Sequence, residues 1–205
     1  MLHLSGLAGG LAGGFAISVG LIYVWNRVNN KHLKGINAMA DIRKPGVCHV
    51  KGREIEGGKF AKTVSESYFK KGDVVVTLKF VKCANKTYQT LQLGLNTHAI
   101  EIFSSYFNHH CDPTVKIEVL DEDNVDKLAL NSIIFANVIA LKDIDIGDEI
   151  NFAYFTTEWD MEEKFKCRCA SPCCVGFIGG ASTMAPSVLQ IYKEQLLPHI
   201  KHRLL

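Results

Sequence analysis

Net charge is the first thing that this sequence lacks. Its 23 Lys and Arg residues nearly balance 21 Asp and Glu residues, which leaves a formal net charge of +2 over 205 residues. We therefore expect no strong field for an anionic membrane and no direct binding of nucleic acid. The chain also lacks internal repeats and, beyond a glycine-rich start, low-complexity tracts. With 47% apolar residues, it can bury one good core with room for one appendage.

An even set of cysteines is absent as well. A secreted protein held by disulfides usually has an even number spread along a short chain, whereas this chain has 7. The run C-x-C-x-x-x-C-C at 167–174 has the tight spacing of a metal site. This pattern favours a reducing compartment, with Cys48 and Cys83 as ordinary buried thiols. A closed structural zinc needs at least four donors. The run contributes Cys167, Cys169 and either Cys173 or Cys174, hence three ligands. Cys111 or a histidine is therefore the natural supplier of the fourth ligand.

Charge is missing altogether from the start of the chain. No charged residue occurs from residue 4 to residue 25, a stretch long enough to cross a bilayer as a helix. Basic residues follow this stretch and none precedes it, which places the remainder on the cytoplasmic side of a membrane. Glycines at 6, 10 and 14 have the spacing that permits helix-mediated self-association in lipid. We therefore predict a transmembrane anchor at 1–25 and a polar linker at 26–45.

Two alternatives to this membrane anchor stay open. A cleaved targeting peptide would have an early basic residue and an A-x-A-like cleavage site, and neither is evident. The glycines also weaken the hydropathy of the segment, which leaves room for a buried or mobile tail. Without the anchor, the protein would be cytoplasmic or nuclear.

From residue 46 onward, short β-rich runs alternate with turn residues, and the sequence predicts a mostly β fold. An acidic run at 121–126 predicts a solvated hairpin loop, with an acidic surface for a basic peptide as the alternative. The tail at 181–205 has apolar residues at helical spacing. It predicts a helix that begins near Pro186 and ends or bends at Pro198. The predicted strands are 74–80, 90–95, 115–120, 133–141 and 149–154.

Three segments in a fixed order carry the chemistry. They are F-N-H-H-C-D-P-T at 107–114, I-D-I-G-D-E-I-N-F-A-Y at 144–154 and C-R-C-A-S-P-C-C-V-G at 167–176. Taken singly, the first could be an ordinary loop or a set of metal ligands, and the second a turn before an alternating strand. Their joint occurrence is far more specific than any one of them.

Together the segments resemble a SET-domain protein lysine methyltransferase with a post-SET zinc segment. Upstream of them, T-L-Q-L-G at 90–94 followed by His98 resembles the compact single-domain members of that family. The resemblance covers roughly 47–180 and implies a SET domain at 46–155 and a post-SET segment at 156–180. It implies several short sheets around a threaded C-terminal segment. It also implies methyl transfer from S-adenosylmethionine to a lysine side chain of a protein substrate. The matching residues are Asn108, His109, Cys111, Pro113, Gly147, Glu149, Tyr154, Cys167, Cys169, Cys174 and Gly176.

The resemblance gives individual residues a role. Tyr154 would be the catalytic tyrosine whose hydroxyl orients the amine, rather than a plain core tyrosine. A structural zinc would be held by four sulfurs, with Cys173 as an alternative to Cys174 and with His109 or His110 as less favoured ligands. The expected metal ligands are Cys111, Cys167, Cys169 and Cys174. The residues expected to meet the cofactor are Gly58, Lys59, Phe60, Asn108, His109 and Phe152. The candidates to wall the lysine channel are Phe152, Phe155 and Trp159.

Three departures from the family pattern keep other functions open. The expected G-x-G has become E-G-G at 56–58 or G-K-F at 58–60, His110 replaces the usual serine, and Thr114 replaces the usual asparagine. One alternative is therefore a SET-like module that has lost methyl transfer and acts as a zinc-stabilised binding or scaffold protein. Another is a methyltransferase for a small molecule.

Overall fold

The structure is a computed structural model that describes residues 43–44, 48–55 and 58–204, with side chains described from Lys62 onward. The predicted anchor at 1–25 and nearly all of the linker at 26–45 lie outside the described residues, so both stay predictions. Within the described ranges, no helix is both long enough and apolar enough to cross a membrane.

The described part of the chain contains two five-stranded sheets, one two-stranded sheet and only short helices, which confirms the mostly β fold. The first sheet contains, in spatial order, β1 (Arg43–Lys44), β2 (Cys48–Ile55), β3 (Gly58–Ser65), β10 (Glu149–Phe152) and β7 (Asn108–His109). The second contains β5 (Leu91–Gln92), β6 (His98–Ile100), β4 (Val74–Cys83), β9 (Ile133–Ala140) and β8 (Val115–Val119). The two-stranded sheet pairs β11 (Phe165–Lys166) with β12 (Phe177–Ile178).

The second sheet owes its buried face to alternation along its strands. In β9 every second residue is buried, including Ile134, Ala136 and Val138, because successive side chains of a strand point to opposite faces. These residues pack in the main core with Leu78 and Phe80 of β4, both of which are fully buried. Truncating Leu78 to alanine would cost about 2–5 kcal/mol of stability, because the close-packed interior closes a cavity only in part. This core supports the strands that carry the functional residues.

A second, smaller core holds the C-terminal segment and includes Phe155 and Leu189. The predicted C-terminal helix is present as two short helices, α1 (Pro186–Ile191) and α2 (Pro198–Arg203). Each helix begins at a proline, whose missing N–H has no intrahelical partner to lose in the first turn. Pro198 therefore starts a second helix, and the first has already ended at Ile191.

Four of the five predicted strands are present, whereas the run at 90–95 forms only the two-residue β5. The chain turns there because the Asp126 carboxylate accepts hydrogen bonds from the backbone N–H groups of Leu95 and Asn96, at 2.8 and 2.9 Å. Asp126 belongs to the acidic run at 121–126, which connects the antiparallel strands β8 and β9 as predicted. All four acidic residues of the run are exposed, as a solvated loop requires, and Asp126 in addition stabilises the neighbouring turn.

Candidate active site

Strand β10 brings the first two motif segments together. It pairs antiparallel with β3 on one side and parallel with β7 on the other. In the parallel pair, Asn151 lies beside Asn108 and Phe152 lies beside His109. Tyr154 follows β10 at the start of a short 3₁₀ turn. Residues far apart in the sequence thus meet at the end of one sheet.

Tyr154 is fixed at both its backbone and its hydroxyl. Its N–H donates to Nδ1 of His109 at 3.1 Å, and its hydroxyl donates to the carbonyl oxygen of Phe107 at 2.8 Å. Burial, assisted by the positive charge that His110 can carry, lowers the pKa of His109 to about 4, so its imidazole is neutral near pH 7. A neutral imidazole has one lone pair to accept the Tyr154 N–H.

The Tyr154 ring lies in an aromatic environment. Its centroid is 4.9 Å from that of Phe152 and 6.2 Å from that of Phe165. Burial, and after it the nearby negative charge of Glu149, raises the pKa of the Tyr154 hydroxyl well above its usual value. The hydroxyl is therefore protonated at physiological pH and acts as a hydrogen-bond donor.

A cavity of about 1130 Å³ lies next to this tyrosine. Asn108, His109, Phe152 and Tyr154, all predicted from the sequence, contribute to its lining. The volume is slightly above the roughly 300–1,000 Å³ of typical small-molecule and cofactor sites. Phe155, a predicted channel wall, instead lies fully buried, with its ring 4.8 Å from that of Tyr192 in the second core.

Trp159, the other predicted channel wall, lies under Arg203, whose guanidinium carbon is 5.1 Å from the Trp159 ring centroid. Its backbone N–H donates to the side-chain oxygen of Gln92 at 2.9 Å. Both contacts fix the chain that leaves the Tyr154 turn, and Trp159 is not among the residues that line the cavity.

Glu149 of the second segment holds Asn108 in the first. The side-chain amide of Asn108 donates to the Glu149 carboxylate at 2.8 Å, and Lys62 of β3 lies 3.7 Å from the same carboxylate. All three side chains line the cavity. A glutamate at this position therefore links three strands of the first sheet at the cavity wall.

The two substituted motif residues make hydrogen bonds that build the site. The Thr114 hydroxyl donates to the Glu149 carbonyl at 2.9 Å and accepts the N–H of Asn151 at 3.0 Å. Nδ1 of His110 lies 2.7 Å from the Asp112 carbonyl oxygen and 3.0 Å from the Asp112 nitrogen, so it bonds to this residue in either tautomer. Neither substitution leaves the loop without the polar contacts that a turn requires.

The predicted cofactor segment Gly58, Lys59 and Phe60 opens β3 and pairs with the end of β2. The side chains at 58–60 lie outside the described residues. Farther along the same strand, Lys62 lines the cavity. The role of 58–60 towards a cofactor stays a prediction.

The four predicted metal ligands come together. The Sγ atoms of Cys111, Cys167, Cys169 and Cys174 all lie within 4.8 Å of one another, and those of Cys111 and Cys167 are 3.8 Å apart. A tetrahedral zinc with Zn–S bonds of about 2.3 Å places its sulfurs about 3.8 Å apart, so the geometry fits such an ion. Burial opposes the charged thiolate of Cys169, but backbone N–H groups of the cluster outweigh it and lower the pKa to about 6.

Cys173 lies outside this four-sulfur cluster. Its thiol is exposed, lies 3.0 Å from the Ser171 hydroxyl and donates to the Cys111 carbonyl at 3.4 Å. The geometry thus groups Cys174, not its neighbour, with the other sulfurs. Cys83, predicted as a buried thiol, is only half-buried at the end of β4.

Sequence reasoning did not single out Glu158. This residue is 7% exposed, lines the cavity and accepts the backbone N–H of Gln92 at 2.5 Å. Burial raises the pKa of its carboxyl to about 7. A glutamate in a polar stretch between two motifs reads as a surface residue, and only the fold shows that it is buried.

Comparison with known proteins agrees with the motifs. No model of a known protein family matches the chain. The methyltransferase flvH of Aspergillus flavus is 34% identical over 123 residues, which are 59% of this chain and 61% of that protein. The H3 lysine-4 specific histone-lysine N-methyltransferase of Emericella nidulans is 28% identical over 74 residues, 36% of this chain and 5% of that protein. This chain therefore matches less than two thirds of the length of either relative.

Among solved structures, the chain is similar to KRYPTONITE in complex with mCHH DNA, an H3(1-15) peptide and SAH. The superposition has a TM-score of 0.45 at 15% sequence identity and covers 63% of this chain and 29% of that one. The sequence matches to named methyltransferases stand independently of it. They confirm the predicted resemblance of this chain to histone-lysine methyltransferases.

Proposed function

We propose that this chain transfers a methyl group from S-adenosylmethionine to a lysine side chain of a protein. The observation that carries the proposal is the position of Tyr154. Its hydroxyl is held by the Phe107 carbonyl at the wall of a cavity that the predicted cofactor residues Asn108 and His109 also line. The curated relatives named as methyltransferases support the same reaction class.

Bound S-adenosylmethionine would supply an activated methyl group for in-line displacement by a neutral amine. The chain's own residues then have to orient that amine and exclude water. The Tyr154 hydroxyl donates its proton to the Phe107 carbonyl, so its oxygen and the second lone pair of that carbonyl offer two acceptors for the N–H groups of the amine. The rings of Phe152 and Phe165 cover the Tyr154 ring and shield the site from solvent.

We also assign the four-sulfur cluster to a structural zinc held by Cys111, Cys167, Cys169 and Cys174. Four sulfur ligands leave no open position for a metal-bound water, so this ion would act on the fold and not on the reaction. Cys111 follows β7, while the other three cysteines belong to the post-SET segment at 156–180. The ion would therefore clamp that segment against the loop that carries Asn108 and His109.

The lapsed-module alternative rests on the altered glycine segment at 56–60 and on the two motif substitutions Thr114 and His110. Both substituted residues make hydrogen bonds to neighbouring residues, which supports the methyl-transfer proposal over that alternative. Histone H3 is the first substrate to test, because several curated relatives are named for lysine 4 of that protein. The class of substrate that we propose is a protein lysine.

The test is incubation of the full chain with S-adenosylmethionine labelled in its methyl group and with recombinant H3, followed by mass spectrometry of the digested product. We expect a mass increase of whole methyl groups on lysine, and none on H3 in which the modified lysine is arginine. A second arm uses a protein extract of the native compartment, so that a different protein substrate is also found. If calorimetry detects no binding of S-adenosylmethionine and neither arm gives labelled lysine, the proposal is wrong.

A further inference from the structure

The imidazole of His109 lies between the proposed catalytic tyrosine and the cysteine cluster. Its Nδ1 is 3.1 Å from the backbone nitrogen of Tyr154, and its Nε2 is 3.3 Å from Sγ of Cys111. The two ring nitrogens of His109 thus contact the proposed catalytic tyrosine and one of the proposed zinc ligands.

The contact with Tyr154 assigns the proton of the ring. A backbone N–H can only donate, so Nδ1 of His109 must offer its lone pair, and the single proton of the neutral imidazole then sits on Nε2. This N–H faces the sulfur of Cys111, which accepts it. When the sulfur is a thiolate, as it is when it binds a metal, such a bond is charge-assisted and stronger than a neutral one.

The surroundings hold the ring in this orientation. The His109 centroid lies 5.9 Å from that of Phe155, 6.0 Å from that of Phe165 and 5.3 Å from that of Tyr154. Its backbone is fixed in β7 beside Phe152. A side chain packed on several faces cannot rotate without disturbing its neighbours.

We propose that His109 is a positioning residue that couples the metal cluster to Tyr154, so that the zinc-bound cysteine sets the place of the tyrosine backbone. This rests on the proposed function, since it concerns the tyrosine of that site. Hydrogen bonds to metal ligands orient those ligands, and their loss typically weakens metal binding about 10-fold to 100-fold. In this chain the same ring would pass the constraint on to Tyr154.

Two substitutions of His109 each remove one of its two hydrogen bonds and keep the other. The side-chain oxygen of asparagine reaches the place of Nδ1, so His109→Asn keeps an acceptor for the Tyr154 N–H and loses the donor to Cys111. The side-chain amide of glutamine reaches the place of Nε2, so His109→Gln keeps the donor to Cys111 and loses the acceptor. His202→Asn, at an exposed position of α2, is the matched control.

The full-length variants are loaded with zinc, and release of the metal to a chelating dye is timed. We expect release from His109→Asn to be about tenfold faster or more than from the unaltered protein, and release from His109→Gln and from the His202→Asn control to be unchanged. The absorption bands of the cobalt-substituted protein should shift only in His109→Asn. Equal release rates and unshifted cobalt bands in His109→Asn would overturn the proposal.

Two further measurements test the hydrogen bond between His109 and the Tyr154 amide. By hydrogen exchange, the Tyr154 amide should lose protection in metal-loaded His109→Gln and keep it in His109→Asn. In the methylation assay at saturating S-adenosylmethionine, kcat should fall at least severalfold in His109→Gln. If the unaltered protein transfers no methyl group, the proposed function fails, but the metal and exchange arms still decide the coupling. An unchanged amide in His109→Gln would contradict it.

Discussion

The Tyr154 hydroxyl donates to the Phe107 carbonyl across 2.8 Å, which joins the end of the second motif segment to the start of the first. The parallel pairing of β7 with β10 sets this distance. The hydroxyl remains a donor because burial and Glu149 raise its pKa. This hydrogen bond fixes the position of the hydroxyl that the proposed methyl transfer uses.

Tyr154→Phe should leave folding and cofactor binding nearly intact, while turnover falls strongly or the number of transferred methyl groups changes. Only one hydroxyl is removed, and leaving the Phe107 carbonyl without its partner costs about 1–2 kcal/mol of stability. Urea unfolding, calorimetry with S-adenosylmethionine and the mass of the methylated product measure the three effects. Tyr68→Phe, at an exposed tyrosine on the surface, is the control. Full activity with an unchanged product would remove Tyr154 from the mechanism.

Protein purified under reducing conditions should contain about one zinc per chain, because four converging sulfurs form one closed tetrahedral site. Cys174→Ser should lose the metal, since a hydroxyl replaces one of the four sulfurs. Cys173→Ser, one residue away and outside the cluster, should retain it. Elemental analysis of the three proteins measures the difference. Absence of metal in the unaltered protein, or equal loss in both variants, would contradict the post-SET assignment.

Motif order and cysteine spacing predict the parts of the site that are local in sequence. The resemblance to SET-domain enzymes groups the segments at 107–114 and 144–154 in one site, and the spacing of the cysteines at 167–174 predicts a metal cluster. The choice of Cys174 over Cys173 needed only the alignment with the following glycine. These features are local patterns, and local patterns are what a single sequence contains.

Contacts between segments could not be predicted in the same way. Asp126 lies in an acidic run that looks solvated, yet it holds the turn after β5. Phe155 looks like a channel wall because it adjoins Tyr154, but the 3₁₀ turn directs it into the second core. The burial of Glu158 depends on Gln92, which is distant in sequence. In each of these three cases tertiary packing, and not local propensity, decides which residues a side chain contacts.

Removal of residues 1–30 should turn a membrane-associated protein into one that stays in the supernatant and keeps its methyl-transfer activity. The uncharged stretch at 4–25 predicts an anchor, and none of the motif residues lies in it. High-speed centrifugation of lysates measures the distribution of both forms. Replacing Gly10 and Gly14 by leucine should weaken self-association in detergent, because close helix pairing needs small residues.

The anchor prediction has two distinct ways to be wrong. If the full-length, uncleaved protein stays in the supernatant, residues 1–25 do not anchor it. If N-terminal sequencing shows that the mature protein begins near residue 26, the segment is a targeting peptide, and the cytoplasmic placement fails as well.

Glu158→Gln should stabilise the protein at pH 8 and make little difference at pH 4. Burial raises the pKa of this carboxyl from its ordinary 4.5 to about 7, so the folded chain binds the proton more tightly than the unfolded chain does. The stability that Glu158 contributes is therefore complete below pH 4.5 and is lost as the pH rises through about 7. Glutamine is neutral and keeps an oxygen for the Gln92 N–H, so the gain at pH 8 should be on the order of 3 kcal/mol. Urea unfolding at both pH values measures it, with the exposed Glu122→Gln as control. A gain of equal size at pH 4 and pH 8 would show that the gain in stability does not come from removing a buried negative charge.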